Sequence, residues 1–185
     1  MAESSSLLQR LSRQLPIVPT ERAAWMMAAF APVAVVIAAL APGLWVIAPL
    51  LALLLIGLIL VDGALAGRVS EWAVAAPGDT EVGQATDISV AARFARGSIR
   101  QATAAIALDP RLGFEGRAIL PLAPAAAASS YAGALSLTPE RRGTAPISHA
   151  WLRWTGPMGL GARQSDKSLD QEVRIWPDLS PVRSK

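Results

Sequence analysis

The chain has no cysteine and a single histidine in 185 residues. Without a thiol there is no disulfide, no thiolate nucleophile and no cysteine metal site, and His149 alone cannot build a cluster of zinc-ligand type within one chain. A serine triad would also have to use His149, whose neighbour Ser148 is expected on the opposite face of a strand. His149 therefore reads as a packed or surface strand residue. Lysine is rare beside arginine, and no Lys/Arg block occurs. With 17 basic against 14 acidic residues, the formal charge of +3 gives no footing for nucleic-acid binding. Charge is missing altogether between Arg22 and Asp62.

What fills that gap is apolar. The chain is 52% hydrophobic with a mean hydropathy of +0.39, and the uncharged run is about twice the ~20 residues a helix needs to cross a bilayer core. Ala41-Pro42-Gly43 interrupts it, because proline removes a backbone donor and glycine permits a left-handed turn. The run therefore predicts a transmembrane α-helical hairpin over residues 23–61, with spans at 23–41 and 44–61. Trp25 and Trp45 are expected near opposite interfaces, and Pro32 and Pro49 are expected to kink the spans. The run is too long for a cleaved signal peptide and lacks a small-residue cleavage site. With no ionisable residue inside the spans, no ion or proton pathway is expected.

The flanks set the orientation. Arg10, Arg13 and Arg22 precede the first span, Arg68 follows the second, and the turn carries no positive charge. Both ends are therefore expected in the cytoplasm. In the cytoplasmic N-terminal segment, residues 1–22, Leu7, Leu8, Leu11 and Leu15 share one face at helical spacing. That pattern suits an amphipathic helix on an anionic leaflet, or equally a short frayed helix ended before Pro16. Residues 62–67 read as a linker.

From Arg68 the pattern changes to short runs separated by turn signals. Ile88, Val90, Ala92 and Phe94 alternate with polar or small residues, the period of a half-buried strand. Further strands are expected at 71–75, 102–108, 117–122, 131–137, 147–154 and 172–176. Residues 125–128 read as a loop or the start of a strand, because Pro121 and Pro124 lie just upstream. Residues 68–185 are thus predicted to form an all-β antiparallel sandwich, immunoglobulin-like in its strand spacing.

Two stretches invite a chemical reading. In Pro139-Glu140-Arg141-Arg142-Gly143, proline and a positive-φ glycine suit a turn with solvated arginines. The competing reading has Arg141 and Arg142 binding an anion or an acidic partner. Gly156-Pro157-Met158-Gly159-Leu160-Gly161 resembles a phosphate loop only superficially, since it lacks the Lys-Ser/Thr ending and a following helix. Trp151 and Trp154 stand an odd number of residues apart, which puts one in the core and frees the other for an edge or a partner. The acidic scatter at Asp166, Asp170, Glu172 and Asp178 reads as solvated surface. No residue pattern points to a catalytic, cofactor or metal site. Arg141, Arg142, Trp151 and Trp154 are the candidate partner contacts.

The order of these motifs, a two-span hairpin followed by EVGQATDISVAARF, LTPERRGTAPISHAWLRWTGPMGLGARQ and VRIWPDL, resembles the amino-terminal half of the bacterial domain-of-unknown-function 58 family. The likeness runs from Pro19 to Leu179. Its most specific parts are the arginine pair with glycine, Pro157 to Leu160, and Trp176-Pro177. The family's defining C-terminal region, of von Willebrand factor A type, is not in these residues, so no site carries over from it. The hairpin and the strand-rich segment together read as a non-catalytic, membrane-anchored interaction or scaffold module, and the resemblance implies that it works with an AAA ATPase of the MoxR type. The inner membrane is then the expected location, with the β-domain cytoplasmic, the lipid bilayer and another protein as partners, and no cofactor. The alternative is an envelope-facing polymer-binding protein or a subunit of a membrane enzyme complex.

Overall fold

Thr20 starts the first helix: its Oγ1 accepts from the Ala23 N–H at 3.3 Å, and Glu21 places a carboxylate in the first turn. The computed structural model describes residues 17–114 and 116–177. Leu7, Leu8, Leu11, Leu15 and Asp178 lie outside the described residues. Helix α1 is Glu21–Leu40. A 3-10 turn at Pro42–Leu44 follows, in which the Leu44 N–H donates to the Ala41 carbonyl at 2.9 Å.

Helix α2 is Ile47–Leu65. Pro49 therefore falls in its first turn, where a backbone N–H has no helical partner to lose, and the cause of an expected kink disappears. The helix also runs past Val61 and takes residues 62–65, expected in the linker, into its last turns. It stops where Gly67 adopts φ +70° and donates to the Ala64 carbonyl at 3.2 Å. Apolarity ends at Val61 but helical bonding does not, so Asp62 is a helix residue.

Both helices are long and apolar enough to cross a membrane. Ala23, Leu55, Ile59 and Leu160 form a buried cluster, flanked by Ile17, Phe30 and Leu58. Most other large side chains face outward, including Trp25 (70% exposed), Val35 (68%), Leu40 (81%) and Leu53 (63%).

The chain divides into two compact units. The first holds both helices with Arg96–Gln101 and Arg153–Ser165. Strand β1, Val18–Pro19, also belongs to it and pairs antiparallel with the first residues of β9, Val18 opposite Ala162.

The second unit is built on an antiparallel, sandwich-like sheet. The strands after β1 are β2 (Arg68–Ala75), β3 (Asp79–Glu81), β4 (Thr86–Arg96), β5 (Gln101–Leu108), β6 (Gly116–Pro124), β7 (Ser130–Leu137), β8 (Gly143–Thr155) and β9 (Gly161–Trp176), of which Arg68, Arg96, Gln101 and residues 153–155 and 161–165 fall in the first unit. They lie in the order β9-β8-β5-β6-β7-β4-β2, and β3 adds to the end of β9 in parallel. Strand β6 links two sections: its residues 116–122 pair with β5, and Ala123 and Pro124 pair with β7. Residues 125–129 form the loop between β6 and β7. The alternation in β4 is realised, with Ile88, Val90, Ala92 and Phe94 buried together with Ala104 and Ile106 of β5 and Ile147 and Leu152 of β8.

Two details depart from the sequence pattern. Ser148 and His149 are both exposed, and burial resumes at Ala150, so β8 shifts phase by one residue as at a bulge. The expected opposite facing of Ser148 and His149 fails for that reason. Strand β9 also begins eleven residues before the expected 172–176 segment. Residues 163–172 carry mostly polar side chains, and the ladder comes from neighbouring strands rather than from their own hydrophobicity. Two of those side chains bond to β2: Lys167 Nζ donates to the Trp72 carbonyl at 3.4 Å and Gln171 Nε2 to the Val74 carbonyl at 3.0 Å. They cover carbonyls that a strand at the end of the sheet would otherwise expose.

Candidate functional site

The most elaborate polar constellation is the turn between β8 and β9, Gly156 to Gly161. Its backbone folds on itself, with the Gly156 N–H donating to the Gly161 carbonyl and the Gly159 N–H to the Gly156 carbonyl, each at 3.0 Å. Three further N–H groups then point the same way, and all meet one side chain. Asp62 Oδ1 accepts from Met158 at 2.8 Å, and Oδ2 accepts from Leu160 at 2.7 Å and Gly161 at 2.8 Å. Asp62 is fully buried. Backbone amides converging on an anion make a nest. This nest is filled by a carboxylate of the same chain, so the turn acts as a clamp on helix α2.

Glycine is needed for that approach. A Cβ on Gly156 would press on the Asp62 carbonyl and carboxylate, and one on Gly161 would press on the Ile59 carbonyl and the Gly63 backbone. Thr20 closes the clamp from the other helix: its N–H donates to the Leu160 carbonyl at 2.9 Å and its Oγ1 to the Gly159 carbonyl at 2.6 Å. Arg163 Nε donates to the Gly63 carbonyl at 2.7 Å, satisfying a carbonyl in the last turn of α2. Burial, and secondarily the nearby Arg68, pushes Arg163 below the ordinary arginine value.

By sequence pattern this segment is turn chemistry, and nothing local to Asp62 marks its part in it. The signals available were a lone acid at the end of a charge-free run and three glycines in six residues, but their meeting is a tertiary fact.

The other candidate residues are dispersed. Arg141 and Arg142 are exposed, and among the described residues neither has an ion pair. Gly143 does adopt a positive φ, +135°. The side chain that orders this turn is a third arginine, Arg111, reaching in from the 3-10 turn Pro110–Leu112. Its Nη1 donates to the Thr144 carbonyl at 3.0 Å and pairs with Asp109 at 3.5 Å, while its carbonyl accepts the Glu140 N–H at 3.0 Å.

Trp154 is 3% exposed, so its ring is not a surface feature. Trp151 is half-buried and already engaged within the second unit. The Arg117 guanidinium lies 3.8 Å over its ring centroid, and His149 stacks at 6.0 Å with 20° between planes. Among the described residues no group of three His, Asp or Glu side chains could hold a metal ion.

No protein-family model matches the chain, and no curated protein matches it. Among solved structures it is similar to a CARDB domain from Pyrococcus furiosus, solved in complex with di-metal ions. The two are 9% identical with a TM-score of 0.38, over 62% of this chain and 97% of that one. It is also similar to a cohesin module of a family 33 glycoside hydrolase from Clostridium perfringens, at 12% identity and a TM-score of 0.30, over 60% and 98% of the two chains. A superoxide reductase (neelaredoxin) from Ignicoccus hospitalis matches at 15% identity and a TM-score of 0.29, over 58% and 81%. Likenesses of this degree carry no argument about function.

Proposed function

We propose that the chain is a membrane-anchored, non-catalytic interaction or scaffold module of the bacterial inner membrane. Helices α1 and α2 are its two-span hairpin, and the β-strand unit is an immunoglobulin-like sandwich that presents a surface to a protein partner. The observation that carries the reading is the outward apolar surface of the helices, with Val35, Leu40 and Leu53 each more than half exposed. Leaving such side chains in water costs about 25 cal/mol per Å² of apolar surface, and a bilayer removes that cost.

The polar groups of the helical unit support the same arrangement. Thr20 and Asp62 close the base of the hairpin, and no charged residue lies between Arg22 and Asp62. The arginine flanks favour a cytoplasmic location for both ends. On the resemblance in motif order, the partner is an AAA ATPase of the MoxR type.

Reporter fusions after Gly43 and after Arg68 test the topology, and capture of the ATPase from solubilised membranes tests the partner. The expected result is a periplasmic reporter at Gly43 and a cytoplasmic one at Arg68. A periplasmic reporter after Arg68 overturns both the orientation and the ATPase, and turns attention to an envelope ligand.

A further inference from the structure

Arg22 and Arg100 converge on one turn of backbone. The position a Cβ would take on Gly159 is 3.8 Å from Arg22 Nη1, 3.8 Å from Arg100 Nε and 3.3 Å from Arg100 Cδ. Arg22 sits in the first turn of α1 and Arg100 just before β5, and both are exposed. Like charges brought together over glycine repel unless an anion joins them.

Among the described residues, no carboxylate of the helical unit does so. Asp62 is fully buried and committed to three backbone N–H groups, and Glu21 Oε1 accepts from Trp25 Nε1 at 3.3 Å. Among the described residues neither Arg22 nor Arg100 has an ion pair. Gly159 matters in a second way: with φ +72° it brings no side chain against Arg22 and Arg100.

The geometry points to a binding site for the phosphate of an anionic phospholipid headgroup, held by Arg22 and Arg100 over Gly159. The inference rests on the membrane reading of α1 and α2, which puts the first turn of α1 at headgroup depth. Guanidinium donors match phosphate oxygens in geometry and charge. Trp25, one turn further along α1 and 70% exposed, has the amphipathic ring favoured at that depth. Met158, on the same turn as Gly159, is 41% exposed and adds apolar surface beside the site. The site selects for a negatively charged lipid, phosphatidylglycerol being the simplest.

The test uses the full chain reconstituted into phosphatidylcholine vesicles and, in parallel, detergent-solubilised protein titrated with phosphatidylglycerol or phosphatidylcholine and read by native mass spectrometry. Resistance to carbonate extraction reports the membrane reading separately. Wild type is expected to retain phosphatidylglycerol over phosphatidylcholine, with the preference falling about fivefold for each arginine removed in Arg22→Gln and Arg100→Gln. The variant Arg93→Gln/Arg174→Gln, which removes the same charge elsewhere, is expected to keep it. Unchanged melting temperatures in all variants keep a folding defect out of the comparison. If the protein stays in vesicles but Arg22→Gln/Arg100→Gln binds phosphatidylglycerol as wild type does, or if the control variant loses the preference equally, the headgroup site is overturned and the membrane reading stands. Displacement of the lipid by millimolar inorganic phosphate alone also overturns the lipid assignment in favour of a soluble anion. Extraction of the wild type by carbonate overturns both readings.

Discussion

Asp62 and Gly161 are 99 residues apart in the chain, and the Asp62 carboxylate accepts the Gly161 N–H at 2.8 Å. That bond, with those from Met158 and Leu160, ties the last turns of α2 to the β8–β9 turn. Asp62→Ala leaves three N–H groups without their acceptor in a buried setting, at a cost of about 3 kcal/mol or more. For a chain of this size the melting temperature of the detergent-solubilised protein should fall by roughly 6 °C or more. Asp62→Asn keeps the shape but turns an NH2 group toward donors, and should recover less than half of the loss. A melting temperature within about 1 °C of wild type for Asp62→Ala would mean the clamp contributes nothing to stability.

Gly161 makes the close approach possible, so a single methyl should undo it. In Gly161→Ala the new Cβ presses on the Ile59 carbonyl and the Gly63 backbone, and neither belongs to a flexible side chain that could move aside. The expected loss is about 2 kcal/mol. Gly78→Ala is the control, since nothing lies within 4 Å of its Cβ position; it should stay within about 0.5 kcal/mol of wild type. Equal melting curves for the two variants would show that the turn yields, and that steric fit to α2 is not what selects glycine there.

How much of this was legible beforehand depends on where each signal resides. Strand β4 could be read because Ile88, Val90, Ala92 and Phe94 carry their own alternation. The first half of β9 could not, since residues such as Gln164, Asp166 and Ser168 owe their extended state to partners far away in sequence. Helix α2 was visible as an apolar run, but its end is set by Gly67 rather than by the first charge. Asp62 looked like the boundary of a hydrophobic segment because its acceptor role is completed only by a turn 96 to 99 residues later. The role of Arg111 in the Pro139–Gly143 turn was hidden for the same reason, whereas the positive φ of Gly143 was readable from local turn chemistry.

Trp151 and Arg117 offer a test of strand register. Strand β5 lies between their strands in the sheet order, and the outward side chains of its middle are Thr103, Ala105 and Ala107. Such small residues let the Arg117 guanidinium reach across to the indole face at 3.8 Å. A double-mutant cycle of Trp151→Leu and Arg117→Gln should give a coupling of about 0.5–1 kcal/mol, the range for a cation–π contact at a partly exposed site. Additive losses would remove the contact. A further substitution, Ala105→Glu, should weaken the coupling by placing a carboxylate beside the guanidinium's path.

The turn at Pro139–Gly143 separates stability from recognition by assigning them to different arginines. Arg111 is the structural one, because its guanidinium holds the Thr144 carbonyl and its backbone holds Glu140. Its ion pair with Asp109 is long, at 3.5 Å, and partly solvent-exposed, so it adds little. Arg111→Ala should therefore destabilise the protein by about 1–2 kcal/mol, mostly through the lost bond to Thr144. Gly143→Val should also destabilise it, since a β-branched residue is strained at φ +135°. Arg141→Ala/Arg142→Ala should stay within about 0.5 kcal/mol of wild type, because both side chains are exposed and make no ion pair among the described residues. If those two arginines dock an acidic partner, the double variant should lose that partner in a pull-down from membranes at an unchanged melting temperature. The wild-type capture should then weaken as salt rises past the range where exposed charges still attract. Capture that survives in the double variant would leave Arg141 and Arg142 as solvated turn residues, and a stable Arg111→Ala would take away the distinction on which the comparison depends.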